Sequence, residues 1–242
     1  MTIDLSPDLF FDLRHLPFRE LFDGIDFVWE ALPRLEDFLA SWVGGRGHQI
    51  WGDVRSGALL DPEGDIYIGP GAVVEPGAYI AGPAWIGPGV QVRHGAYIRS
   101  HALIGQGSVV GHATEVKHSI LLPGAHAPHF NYVGDSILGR GVNLGAGTKL
   151  SNLTVVSVKD PTTGKRPTIK LTIDGETFDT GLAKLGAILG DGVQTGCNSV
   201  LNPGALIGPR SLVYANASLP KGYYPPDTII KLRQTFEYAQ RM

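Results

Sequence analysis

Cysteine is almost missing from this chain. Cys197 is the one thiol among 242 residues, so no disulfide can form within the chain, and a reducing compartment is expected. A surplus of positive charge is missing too. Lys and Arg number 20 against 23 Asp and Glu, a formal net charge of -3, which removes the electrostatic footprint of a general nucleic-acid binder. Long apolar runs are lacking. The most hydrophobic stretch, "DFVWEALPRLEDFLASWVGG", is broken by Glu30, Pro33, Arg34, Glu36 and Asp37 and is too interrupted to span a bilayer. The opening "MTIDLSPDLFFDLR" carries acids where a secretory signal needs a basic segment and an apolar core. These absences predict a cytoplasmic protein with neither a membrane nor a nucleic-acid partner.

What the chain has in quantity is glycine and proline, 33 and 17, about a fifth of all residues, as frequent and regular turns require. They recur with a period. In blocks of six from Ile68 the text reads IGPGAV, VEPGAY, IAGPAW, IGPGVQ, VRHGAY, IRSHAL, IGQGSV, VGHATE, VKHSIL, LPGAHA. The first position is aliphatic in all ten blocks, from Ile68 to Leu122, and the fifth is mostly Ala, Ser or Thr. Neither a helical nor a plain strand period produces this. It is the pattern of a left-handed parallel β-helix of hexapeptide repeats, in which three blocks close one triangular coil and the aliphatic residue fills the prism.

The rhythm returns from Leu138 and again from Leu189. Between Leu122 and Tyr132 the six-residue frame slips by four, so "HAPHFN" is expected to bulge out of the prism. A second interruption, about 156–183, contains alternating Ile169, Leu171 and Ile173 before Asp174-Gly175, which predicts a protruding β-hairpin. The ends lack the repeat. Residues 1–48 are expected to form an N-terminal helical cap and 49–224 the β-helix. Residues 225–242, after a Pro-Pro stop, read as a C-terminal helix capped by Asp227.

Three blocks per coil place residues 18 apart one above another, roughly 4.8 Å away. Arg99 and Lys117 fall on such a pair. They read either as a solvated charge ladder or as a clamp for an anion such as phosphate. His94, His112 and His118 share one phase, with His101 nearby. That raises a zinc reading of the carbonic-anhydrase type, which the spacings of six and three residues fit poorly. His129 stands apart because it lies in the expected bulge, where a loop on a rigid scaffold carries chemistry.

The stretch "APHFNYVGDSILGRGVNLGAGTKLSNL" resembles the acetyltransferase domain of the bifunctional glucosamine-1-phosphate N-acetyltransferase / N-acetylglucosamine-1-phosphate uridyltransferase family. The resemblance rests on a histidine, a tyrosine three residues on, Gly-Asp, an Asn-Leu-Gly-Ala-Gly-Thr run and a later asparagine, and covers roughly 65–220. The downstream "TFDTGLAKLGAILGDGVQTG" is most similar to the archaeal-type sugar-1-phosphate nucleotidyltransferases.

The resemblance implies His129 as the general base that frees an amine lone pair. It implies Arg99, Lys117, Tyr132 and Lys184 at the phosphate end of an amino-sugar phosphate, and Asn143 on the sugar. Asn152 would hold the thioester and its developing oxyanion. Ala146, Cys197 and Ala215 would line the acetyl-CoA groove, with Cys197 where serine is common and not as a nucleophile. Pro128 stands where glycine is frequent. The basic tail that grips CoA phosphates is reduced to Lys221, Lys231 and Arg233. No Gly-rich nucleotide loop opens the chain and few residues precede the prism, so a uridylyltransferase domain is not expected.

The expected protein is a stand-alone acetyl-CoA-dependent N-acetyltransferase of an amino-sugar 1-phosphate, glucosamine 1-phosphate first, serving UDP-N-acetylglucosamine supply for the cell envelope. It needs no metal and works as a homotrimer. Its rivals are a sugar-phosphate-binding or scaffold subunit of a separate nucleotidyltransferase and, behind that, the zinc enzyme.

Overall fold

A computed structural model describes residues 4–235 and 237–240. Short parallel strands wind into a three-sided solenoid, the hexapeptide β-helix the repeat predicts. The first sheet has nine strands, from His48–Ile50 to Gly222–Tyr224. The second also has nine, from Asp53–Val54 to Ile229–Ile230, and the third has eight, from Leu59–Leu60 to Ser218–Leu219. The aliphatic first positions are inside, as expected: Ile68, Ile86, Ile104, Leu138, Leu189 and Ile207 all have no exposed surface. Three-residue strands suffice because every coil lends its backbone to the next, so the ladder is continuous along the axis although each strand is short.

The frame slip is real but lies elsewhere. From Ile66 to Ile98↔Val116 successive coils pair at a spacing of eighteen, and from Ala102↔Ser119 to Val133↔Leu150 at seventeen; eighteen returns at Ala187↔Ala205 and seventeen at Ala205↔Gly222. The lost residue comes out of the corner before Ile120, so Leu121 fills the prism and Leu122 faces outward. The expected bulge at "HAPHFN" is therefore corrected. His126–His129 is an ordinary strand of the second sheet, paired with Val109–His112, and Ala127 is an interior residue. One-residue steps at two corners, His118 and Asp135, restore the phase without any loop: the interior row runs Val116, Leu121, Ala127, Val133, Leu138.

The C-terminal helix is also corrected: none forms among the described residues of 225–242. Tyr224 and Ile230 continue to pack on the prism core, five and eleven residues after Leu219, again through a one-residue contraction. Asp227 is no helix cap. It occupies a left-handed corner (φ 57°) one coil above Arg210 (φ 59°), which itself follows Gly192 (φ 71°) in the same column. The Arg210 guanidinium grips the Asp227 carboxylate with two hydrogen bonds of 2.7 and 2.6 Å.

The N-terminal segment lies along the first sheet and not over the end of the solenoid. Its longest helix, Ala31–Val43, buries Leu32, Leu35, Phe38, Leu39 and Val43 on one face, the i, i+3, i+4, i+7 stripe of an amphipathic helix. They meet a row that the repeat does not predict: Leu103, Ile120, Ile137, Ile188 and Leu206, the outward middle residues of successive first-sheet strands, all fully buried. The hairpin Lys170–Ile173 / Glu176–Asp179 forms where expected, turning on Asp174 and Gly175 at positive φ. It does not protrude freely. Ile169, Leu171 and Ile173 face this same apolar layer. Gly204, at φ 84°, sits where the hairpin crosses the coil, and a Cβ there would come within 2.7 Å of the end of the Leu171 side chain. Asp191 ties the layer to the prism edge by accepting the backbone N–H groups of Asp12 and Arg140, each at 2.7 Å. No helix among the described residues is long and apolar enough to cross a membrane.

Candidate functional site

Two corners of the prism carry the candidate residues. Along the corner between the second and third sheets, His94, His112 and His129 stand in one column. The His94 and His112 rings stack with centroids 5.6 Å apart and nearly parallel planes, and His112 pairs with His129 in register. Each of the lower two rings bonds through Nδ1 to a carbonyl one coil below, His94 to Pro76 at 2.7 Å and His112 to His94 at 2.9 Å. The grouping of His118 with His94 and His112 is corrected. His118 does not join that column: six residues, one face of the prism, separate it from His112, and it turns the next corner, between the third and first sheets. Among the described residues no group of three or more His, Cys, Asp or Glu side chains converges as a metal ion requires.

His129 ends its strand with an exposed ring. Its backbone is fixed from beneath: the His129 N–H donates to Asn131 Oδ1 at 3.1 Å. Asn131 is 2% exposed and donates its own amide to the Gly145 carbonyl at 2.8 Å. Asn131 occupies the small-residue column between Thr114 and Thr148, a polar anchor that the repeat disguises as an irregular block. The next residue, Phe130, turns the corner at φ 36°, where the coil below has Ala113 and the coil above Gly147, both also at positive φ, and the residue is 54% exposed. Above His129 the same column continues through Ala146, Cys197 and Ala215. The coil-to-coil bonds Gly147 N–H to His129 O (3.0 Å), Asn198 N–H to Ala146 O (2.8 Å) and Asn216 N–H to Cys197 O (2.9 Å) establish it. Cys197 is exposed.

The third sheet carries Arg99, Lys117, Tyr132 and Asn152. Arg99 and Lys117 are stacked as expected, but each already has an acid. Arg99 Nη1 is 3.0 Å from Glu115 Oε1, and the hydrogen bond to Glu115 raises the guanidinium pKa. Lys117 Nζ is 3.5 Å from Asp135 Oδ2. Neither Glu115 nor Asp135 was singled out by sequence, although Asp135 is the acid of the Gly-Asp pair that follows Tyr132. Lys184 is exposed and lies next to Asn152, whose carbonyl accepts the Leu185 N–H at 3.1 Å. Lys149, also missed, stacks directly on Tyr132 in register. A cleft of about 440 Å³ runs over this face, bounded by Glu115, Phe130, Asn131, Tyr132, Lys149 and Ser151.

Asn143 is not brought to this face. It sits on the second sheet between His126 and Gln194 in the ladder, around the corner from Tyr132. Lys231, one of the tail cations, lies over the Tyr214 ring at 5.8 Å.

Asp135 has the most constrained side chain of the group. Burial alone disfavours its charge. Hydrogen bonds from His118 and Asn152 and the charge of Lys117 outweigh that and hold its pKa below the usual carboxylate value. Burial, with the Glu115 and Asp135 charges, pushes the Tyr132 hydroxyl pKa up, so the phenol stays protonated and can donate. A depressed folded-state pKa contributes stability above the unfolded value, near 3.9, and loses it as pH falls through the lower folded value. Thermal melts across this acid range are expected to drop more steeply for the wild type than for Asp135→Asn. Parallel curves would contradict the assignment.

This is a hexapeptide-repeat β-helix with a histidine-headed corner and a charged face beside it. A family profile described as "GMPPB C-terminal domain" matches residues 80–172. The chain is 37% identical over 103 residues to the bifunctional sugar-1-phosphate nucleotidylyltransferase/acetyltransferase of Sulfurisphaera tokodaii, 43% of this chain and 23% of that protein. It is 35% identical over 127 residues to the bifunctional protein GlmU of Methanococcus vannielii, 50% of this chain and 28% of that one. The match thus spans about a quarter of the length of these curated relatives. Among solved structures, the acetyltransferase domain of PglB from Neisseria gonorrhoeae superposes with a TM-score of 0.35 at 18% identity, over 53% of this chain and 66% of that one. The similarity to the archaeal bifunctional enzymes bears out the resemblance drawn from the motif.

Proposed function

We propose that this protein transfers the acetyl group of acetyl-CoA to the amine of an amino-sugar 1-phosphate, with glucosamine 1-phosphate as the first candidate acceptor. The observation that carries the reading is the corner column. His129, Ala146, Cys197 and Ala215 lie on successive coils, so a base and a groove about 14 Å long, three steps of roughly 4.8 Å, share one line. An extended pantetheine arm fits such a groove with its thioester at the His129 end.

The acceptor amine attacks the thioester carbonyl, forming the N–C bond. His129 takes the proton from nitrogen, the tetrahedral oxyanion collapses, the C–S bond breaks, and the imidazolium returns its proton to the departing CoA sulfur. Asn152 offers an amide N–H to the oxyanion. Tyr132, Arg99, Lys117 and Lys184 receive the phosphate end. Arg99 and Lys117 would do so while still paired to Glu115 and Asp135, so the added attraction comes chiefly from Lys184, with Lys149 beside it. Because Asn143 faces away from Tyr132 in one chain, a sugar touching both needs a second copy of the prism. The working form is accordingly a homotrimer, its sites at the grooves between copies.

A thiol-release assay with acetyl-CoA and a panel of amino-sugar 1-phosphates tests the reading. Turnover is expected with a 1-phosphorylated hexosamine and at least tenfold less with the unphosphorylated sugar, an estimate based on one lost charge-assisted contact. Saturable sugar-phosphate binding without thiol release from any acceptor would replace the enzyme with a binding subunit.

A further inference from the structure

Three side chains, those of His118, Lys117 and Asn152, converge on Asp135. It stands one coil above His118 and two above His101 in the corner between the first and third sheets, all three at positive φ (46°, 43° and 60°). It is 5% exposed. His118 Nδ1–H donates to Oδ1 at 2.9 Å, Lys117 Nζ lies 3.5 Å from Oδ2, and the Asn152 amide N–H donates to Oδ2. The backbone is pinned from both neighbouring coils, by its own N–H to Lys117 O at 2.9 Å and by the Gly186 N–H to its carbonyl at 2.7 Å. The far end of the Asn152 amide is held too, since the Tyr132 hydroxyl donates to Asn152 Oδ1 at 3.4 Å. Gly134 leaves the room for this. A Cβ there would come within 2.6 Å of the Tyr132 hydroxyl and 2.9 Å of Asn152 Nδ2.

We propose that Asp135 is a positioning residue that locks the orientation of the Asn152 amide, and with it the donor Asn152 presents to the thioester. This rests on the acetyl-transfer reading above.

The argument is one of hydrogen-bond valence. An asparagine amide can exchange its N and O ends by a half-turn at little cost when its neighbours both donate and accept. A carboxylate without a proton only accepts, so it admits the NH2 end alone, and Tyr132 as a donor admits the carbonyl end alone. One N–H is then spent on Asp135 and the other is aimed outward. His118 and Lys117 keep Asp135 in its accepting form.

Asp135→Asn keeps the shape, and asparagine tolerates a left-handed corner, so the fold should survive. Its own amide permits either orientation of Asn152. With acetyl-CoA and glucosamine 1-phosphate, kcat is expected to fall at least tenfold with both KM values within about twofold, the signature of a contact made in the transition state. In an Asn152→Ala background the same change should add nothing. An equal loss in both backgrounds overturns the proposal.

A second readout does not depend on turnover. The Asn152 side-chain amide protons, assigned by their disappearance in Asn152→Ala, should be well separated and slow to exchange in wild type and averaged in Asp135→Asn. Unchanged resonances overturn the proposal. If the wild type turns over no acceptor, the functional reading fails, and these resonances still decide whether Asp135 sets the amide.

Discussion

Replacing His129 with alanine should lower acetyl transfer by about a hundredfold to ten-thousandfold, the usual contribution of a positioned general base. The melting temperature should hardly move. The His129 ring is exposed, and what the fold takes from this residue is backbone: its pairing with His112 and the N–H bond to Asn131, both of which alanine keeps. Selectivity is the stronger part of the prediction. His112→Ala, one coil below in the same column, removes a ring that bonds to the His94 carbonyl and should leave turnover close to wild type. Rates for both variants, measured beside their melting curves, separate a lost base from a damaged corner. Wild-type turnover in His129→Ala would move the base elsewhere, and His118, paired to Asp135, would be the next to test.

Ile137→Asp should be the most damaging single change to stability. Ile137 is fully buried on the outer side of the first sheet, stacked between Ile120 and Ile188 under the N-terminal layer. Among the hydrophobic residues of that layer, an aspartate has no cation to pair with, and an uncompensated buried charge costs about 3–5 kcal/mol. For a chain of this size that corresponds to a drop of roughly 10 °C in melting temperature. The damage should be local first. Limited proteolysis is expected to release residues before about 48 while the solenoid persists, because the prism interior does not use this face. Ile137→Val, which keeps the packing, should melt within a few degrees of wild type. An Ile137→Asp protein with the wild-type melting curve and protease pattern would mean the layer is not held through this row.

How far the sequence reached can be judged from particular residues. The solenoid was legible because its interior row is strict: nine of the ten aliphatic first positions, Ile68 to Val116, lie in it, and only Leu122 falls outside. What failed was counting through the corners. A coil can drop one residue at a corner, as it does before Ile120, before Ile137 and again before Tyr224, and keep every interior contact. A fixed six-residue frame then reports a bulge at "HAPHFN" where a strand runs, while the Pro-Pro pair and Asp227 read as a helix start where the described residues form none. A shared six-residue phase is also not a shared corner: His118 lies one face beyond His112, outside the His94 and His112 column.

The outward row Leu103, Ile120, Ile137 was invisible for a different reason. Repeat reading assigns the middle of a strand to solvent, and only the packed N-terminal layer reveals that this face is a second core. In the site, the motif gave His129, Tyr132 and Asn152, but not the acids that hold the cations. Glu115 and Asp135 lie sixteen and eighteen residues from their partners Arg99 and Lys117, across coils, where no local pattern joins them.

The central claim is acetyl transfer from a thioester to a sugar amine, and product analysis tests it most directly. Acetyl-CoA and glucosamine 1-phosphate are incubated with wild type and with His129→Ala, and the sugar phosphate is examined by mass spectrometry. The account predicts an N-acetylated sugar 1-phosphate with wild type and almost none with the variant. An unmodified sugar phosphate with wild type, across the whole panel of amino-sugar phosphates, would contradict it.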